Sequence, residues 1–190
     1  MASDPLAFFR SLPDLDVGHI KGNVSLEDKN LNAKVLKYFV ASKPCFGTDI
    51  GHRLGITDIN LFRGPGNRLE AETILEIGVE EDMCNAWKSL HGACAAYLAD
   101  VGALGPLIVL GTATGRNTVG MAATMNLIFH DAPQLGAQLK IVNTSITLQG
   151  LLMTSRSEIR DKVSEKVYVS GVLNSVRVPP ADALKRANKL

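Results

Sequence analysis

Residues 90–110 read L-H-G-A-C-A-A-Y-L-A-D-V-G-A-L-G-P-L-I-V-L and carry one carboxylate, Asp100. The length is about the 20 residues that a membrane span needs. However, an aspartate near the centre of a span costs about 2.5–3.5 kcal/mol on insertion, and Gly102, Gly105 and Pro106 follow it. A helix buried in a protein core or at a subunit interface fits better, and no membrane span is expected. Its alanines and leucines favour helix, while Gly102, Gly105 and Pro106 should bend it or end it late. Between Lys88 and Arg116, His91, Cys94 and Tyr97 are the only other titratable groups. A carboxylate in such a setting is costly unless it is paired, hydrogen-bonded or facing a wet cleft.

Strand-like runs flank this segment. I-N-L-F-R (59–63) precedes the turn G-P-G-N (64–67). Residues 68–77 then alternate, with Leu69, Ala71, Thr73, Leu75 and Ile77 on one face. A period of two marks a half-buried antiparallel strand. After a turn expected at 111–115 (G-T-A-T-G), four more strands are expected, at 119–130, 138–148, 151–160 and 166–178, the last ended by Pro179 and Pro180. Two strands, one long apolar helix and four strands make an α+β fold, an antiparallel sheet with one central helix. A lone helix on one sheet face stays partly uncovered, so a dimer is expected.

The remaining segments are less regular. Residues 1–30 read as an irregular leader broken by Pro5 and Pro13. Residues 31–42 suit a short amphipathic helix with Leu31, Val35 and Phe39 on one face. Residues 43–58 are turn-rich. The expected organisation is a leader with a short helix (1–55), a main domain (56–179) and a tail (180–190).

The formal net charge is +1 and no block of like charges appears, so neither nucleic acid nor a membrane surface is an expected partner. Cys45, Cys84 and Cys94 are odd in number and lack a C-x-x-C spacing. That argues against a disulfide framework and a zinc site, and for a reducing compartment. The start M-A-S-D-P-L-A-F-F-R does not read as a secretory signal. No metal and no cofactor are expected.

Asn85, His91, Gly92 and Asp100 are spaced as N-x(5)-H-G-x(7)-D. With the element order above, this pattern resembles that of hotdog-fold acyl-CoA thioesterases of the phenylacetate-pathway and thioesterase-superfamily-member type. The segment M-N-L-I-F-H-D-A-P-Q-L-G (125–136) is similar to the strand and turn that follow in that family, and the likeness spans about residues 60–178. The resemblance implies a hotdog fold, a sheet wrapped around one long helix, and hydrolysis of a fatty or aromatic acyl-CoA by a homodimer or a dimer of dimers. It implies that Asp100 of one subunit faces the Asn85–Gly92 segment of the other and activates water, or attacks the thioester itself. Gly92 would supply an oxyanion donor from the helix start, where backbone N–H groups are free and the helix dipole is positive. Asn85 would orient water or carbonyl, and His91 would position the loop or approach the sulfur. Phe129, His130, Gly150 and Arg177 are the implied substrate-binding residues, with Lys140 and Arg156 as further candidates for the phosphates.

Structural readings stand beside these. Asp100 would otherwise pair with an interface arginine, Asn85 would cap the helix, and His91 would be a satisfied structural histidine. Two positions depart from the family pattern. Ala93 replaces a second glycine, and Ala122 stands where some members carry Ser or Thr on the strand after the helix. Thr124 lies close, but on the other face if that strand is regular. These departures keep a non-catalytic acyl-thioester-binding protein open, and His91 with Asp100 keeps a hydratase or dehydratase open. The ending N-K-L is similar to the peroxisomal S-K-L address; cytoplasm is the expected location, with mitochondrion or peroxisome as alternatives.

Overall fold

The computed structural model describes residues 6–41, 44–148 and 150–177. The C-terminal tail, with its N-K-L ending, and the prolines expected to end the last strand lie outside them. Six antiparallel strands form one sheet: β1 (Gly55–Arg63), β2 (Leu69–Gly78), β3 (Gly120–Phe129), β4 (Gln138–Thr147), β5 (Leu152–Asp161) and β6 (Val167–Arg177). Their order across the sheet is β1-β2-β4-β5-β6-β3. Among the described residues the α-helices are α1 (Ala7–Arg10), α2 (Leu26–Val40), α3 (Thr48–Arg53) and α4 (Gly92–Thr114). The sheet wraps around α4, as the resemblance implies.

Alternation places the sheet. In β2, β4 and β5 every second residue is buried, and those residues face α4. Helix α4 is apolar all round because it is covered on two sides, by the sheet and by α2. Long and apolar enough to span a membrane by length and composition, it is here the core helix, mostly buried. Fully buried side chains such as Leu98 and Leu107 each contribute about 1.5–3 kcal/mol.

The helix does not stop where its sequence suggests. It runs through Gly102, Gly105 and Pro106 and takes in most of the expected 111–115 turn, ending at Gly115 in the left-handed conformation (φ 64°). Packing explains the two inner glycines. A Cβ on Gly102 would come within 2.7 Å of the buried Asn143 amide, and one on Gly105 within 2.6 Å of Thr73 Oγ1. The helix needs bare backbone to lie this close to the sheet, and that burial outweighs poor helix propensity.

Residues 6–30 hold more structure than the irregular leader expected over 1–30: they include α1 and the first turn of α2. Helix α2 starts at Leu26, earlier than expected, because Ser25 caps it by accepting from the Asp28 N–H. Residues 43–58, read as turn-rich, include α3 and the start of β1. Lys21 bridges to β1, donating to the Thr57 carbonyl and accepting from the Ile59 N–H. Leu6, Phe9, Leu31, Val35 and Ile108 form a second apolar cluster that ties this N-terminal arm to α4.

Candidate active site

Helix α4 and strand β3 frame the site. Asp100 is on the exposed side of α4 and has no hydrogen bond or ion pair among the described residues. Partial burial among apolar neighbours raises its pKa above the ordinary carboxylate value, and no donor offsets the shift. It lines two adjoining spaces. One is an open shelf of about 410 Å³ bounded by Ala93, Ala96 and Ala122–Met125. The other is a deeper cavity of about 400 Å³ between α4, α2, β3 and β6.

The segment before the helix is built by Asn85. Its Oδ1 accepts from the N–H groups of Trp87 (2.9 Å) and Ser89 (3.3 Å). Its Nδ2 donates to Ser89 Oγ at 3.0 Å. Asn85 therefore shapes a turn, in which Lys88 takes a positive φ, and does not cap α4. The cap is His91, whose Nδ1 accepts from the Ala93 N–H at 3.0 Å. That bond requires Nδ1 to be unprotonated. Gly92, the first helical residue, is exposed and its N–H has no partner among the described residues. The Phe129 ring lies beside it, 3.6 Å from where a Cβ would sit.

Asp100 and Gly92 are on one helix, eight residues apart. At 1.5 Å per residue they stand about 12 Å apart along the axis, too far to act on one carbonyl. Similarly, the sheet separates two groups of expected substrate contacts. Phe129 and His130 are at one end of β3, near Gly92, where His130 Nε2 pairs with Ser170 Oγ at 2.8 Å. Arg177 pairs with Gly120 at the other end of β3, about 30 Å along the strand. Its Nη2 donates to the Leu148 carbonyl, close in sequence to Gly150, which takes φ 63°. Lys140 is paired with Glu165, while Arg156 is exposed.

Strand β3 is not regular. Its pairing with β6 shifts between Ala122 and Thr124, a bulge at Ala123. Ala122, Ala123 and Thr124 consequently all border the Asp100 shelf. Thr124 is thus not turned away from the site, because the bulge breaks the alternation. Its Oγ1 accepts from Asn174 Nδ2 at 2.9 Å, which leaves its own proton to donate. β3 is also a sheet edge, and it leaves Met121, Met125, Ile128 and Phe129 exposed. Cys94 is inert by comparison: burial pushes its thiol up to about 11. Among the described residues no cluster suits a metal ion.

No protein-family model matches the chain, and no curated protein matches it. Solved structures do. Thioesterase superfamily member 2 of zebrafish superposes with a TM-score of 0.62 at 18% identity, covering 82% of this chain and 100% of that one. The E. coli PaaI protein from the phenylacetic acid degradation operon gives 0.51 at 18% identity, covering 63% and 82%. A hypothetical thioesterase protein with coenzyme A from Streptococcus pneumoniae gives 0.51 at 14% identity, covering 56% and 81%. At these identities the likeness concerns the fold, and the chain has the hotdog fold.

Proposed function

We propose that this chain is an acyl-CoA thioesterase working as a homodimer, or as a dimer of such dimers. The observation that carries the reading is Asp100, an unpartnered carboxylate of raised pKa on the wall shared by a shelf and an apolar cavity. A carboxylate whose pKa is raised toward neutrality is a better base, and it is placed to take a proton from water attacking the thioester carbonyl. The free Gly92 N–H at the positive end of α4 is suited to the oxyanion that develops. The likeness of fold to thioesterases, one of them described with coenzyme A, supports the substrate class.

The 12 Å between Asp100 and Gly92 is the reason for the second subunit. β3 offers a free edge with exposed apolar side chains, the feature that invites pairing with another strand. Pairing β3 antiparallel with its copy about a two-fold axis near Met125–Asn126 sets Ala122 opposite the partner's Phe129. Ala122 borders the Asp100 shelf and Phe129 lies beside Gly92. That pairing brings Asp100 of each subunit toward the partner's Gly92 and completes two equivalent sites. In this arrangement Asn85 and His91 hold the donor segment in shape.

The non-catalytic reading has its own support. The Asn85 amide is engaged in its own turn, and alanine stands at 93 and 122. Thiol release from short, medium, long and aromatic acyl-CoAs, measured for wild type beside Asp100→Asn, separates the two. Hydrolysis by wild type and a loss of about 10²–10⁴-fold in the variant support the enzyme. A folded, dimeric wild type that releases no thiol supports the binding protein.

A further inference from the structure

The cavity behind Asp100 is graded from mouth to floor. Asp100, Phe46 and Met121 are exposed at its mouth, while Val40, Ala103 and Leu173 are buried at its floor. The N-terminal arm supplies part of the lining, through Leu36, Phe39 and Val40 of α2 and Cys45 and Phe46 of the following loop.

That loop is latched to α4 one turn before Asp100. Tyr97 Oη donates to the Gly47 carbonyl at 3.3 Å, and the Phe46 ring packs edge-on against Tyr97 at 5.6 Å. Gly47 has φ +70°, and a Cβ there would sit 2.8 Å from the Tyr97 ring. The latch satisfies the Tyr97 hydroxyl, and among the described residues that line the cavity Asp100 is the one acidic or basic side chain.

Building on the proposed hydrolysis, we propose that this cavity is the acyl subsite and that the arm is part of its wall. Its ligand is an unbranched aliphatic tail of at most about thirteen carbons, since the cavity of about 400 Å³ offers roughly 30 Å³ to each group the size of water or methylene. The thioester carbonyl stays at the mouth beside Asp100, and the tail runs between α2 and α4 to Val40, Ala103 and Leu173. The buried end formed by Val40, Ala103 and Leu173 is apolar, and Ser175 carries the one aliphatic hydroxyl among the described lining residues. An acetyl or phenylacetyl group stops short of that end and leaves apolar surface uncovered.

The test is calorimetric binding of S-alkyl-CoA thioethers, which cannot be hydrolysed, from ethyl to hexadecyl, with thiol release from the matching acyl-CoAs in parallel. Affinity is expected to rise up to about fourfold per methylene and then level off as the tail meets the floor. Ala103→Leu fills the floor and should move the plateau down by about three carbons, the volume it adds. Phe46→Ala changes an exposed side chain, so folding is not at risk; it should weaken long thioethers about tenfold and leave the ethyl compound unchanged. Affinity independent of chain length, or long-chain affinity unchanged by Phe46→Ala, overturns the subsite. Chain-dependent binding without thiol release keeps the subsite and removes the hydrolysis reading; thiol release with flat binding does the reverse.

Discussion

Asp100 and Gly92, the carboxylate and the free backbone donor of the candidate site, lie eight residues and about 12 Å apart along α4. They cannot meet on one thioester within a subunit. In the proposed function the site therefore draws on a second copy, and the exposed apolar edge of β3 is the surface that such a copy would cover.

The raised pKa of Asp100 has a cost in stability. A carboxyl that holds its proton more tightly when folded favours the folded state at low pH, and that contribution is lost as pH rises through its folded value. Asp100→Asn should therefore melt slightly higher than wild type at neutral pH, by at most about 2 °C because the exposed carboxylate is screened. The difference should vanish in acid, where wild type is protonated too. Thermal denaturation from pH 3 to pH 8 reads this directly, and equal melting at neutral pH would show that Asp100 is not strained there. The rate of hydrolysis should fall in acid as the base is protonated, with its midpoint above the ordinary aspartate value of 3.8.

His91 holds the start of α4 through one bond to the Ala93 N–H. His91→Ala should cost about 0.5–2 kcal/mol of stability, and His91→Asn should recover most of it, since asparagine caps as well. If His91 only positions the loop, the asparagine variant should also recover hydrolysis. Activity lost in both variants, with stability restored in the second, would give the imidazole a direct chemical role.

Gly102 lets α4 lie against Asn143. Gly102→Ala brings a methyl group to within 2.7 Å of a fully buried amide, and should destabilise by about 1–3 kcal/mol despite the better helix propensity of alanine. Urea unfolding measures it, and a stabilised variant would mean that the helix rides higher on the sheet than described.

The Thr124 hydroxyl borders the Asp100 shelf with a proton to donate. If it holds the attacking water, Thr124→Val should lower kcat about five- to tenfold, the worth of one hydrogen bond, with KM little changed. An unaltered kcat would leave Thr124 with its Asn174 contact alone.

Much of this architecture is legible in the chain. The alternation of 68–77 and of the later strands gives the sheet, and the apolar run around Asp100 gives the helix, because both patterns report one-dimensional burial. The misses come from contacts distant in sequence. The passage of α4 through Pro106 depends on the sheet and α2 covering it. The bulge at Ala123, which brings Thr124 to the site, appears only in the pairing of β3 with β6. The arm looked irregular because its apolar residues are spaced for docking on α4 and β1 and not for one regular element. Asn85 was legible as part of a motif, while its work within the 85–89 turn depends on local bonds to Trp87 and Ser89 that spacing cannot reveal.

The composite site is tested most directly by complementation between two silent variants. Asp100→Asn removes the base. Gly92→Pro removes the N–H donor at the first helical position, where proline is tolerated, and His91 before it already has the extended conformation that proline requires. Each should be inactive alone. When the two are co-expressed and mix at random, about half of the dimers are mixed, and each mixed dimer holds one intact site built from the Asp100 of one chain and the Gly92 of the other. Thiol release should return to about a quarter of the wild-type rate. No recovery from a preparation shown to contain mixed dimers would contradict the shared site and return Asp100 and Gly92 to separate roles within one subunit.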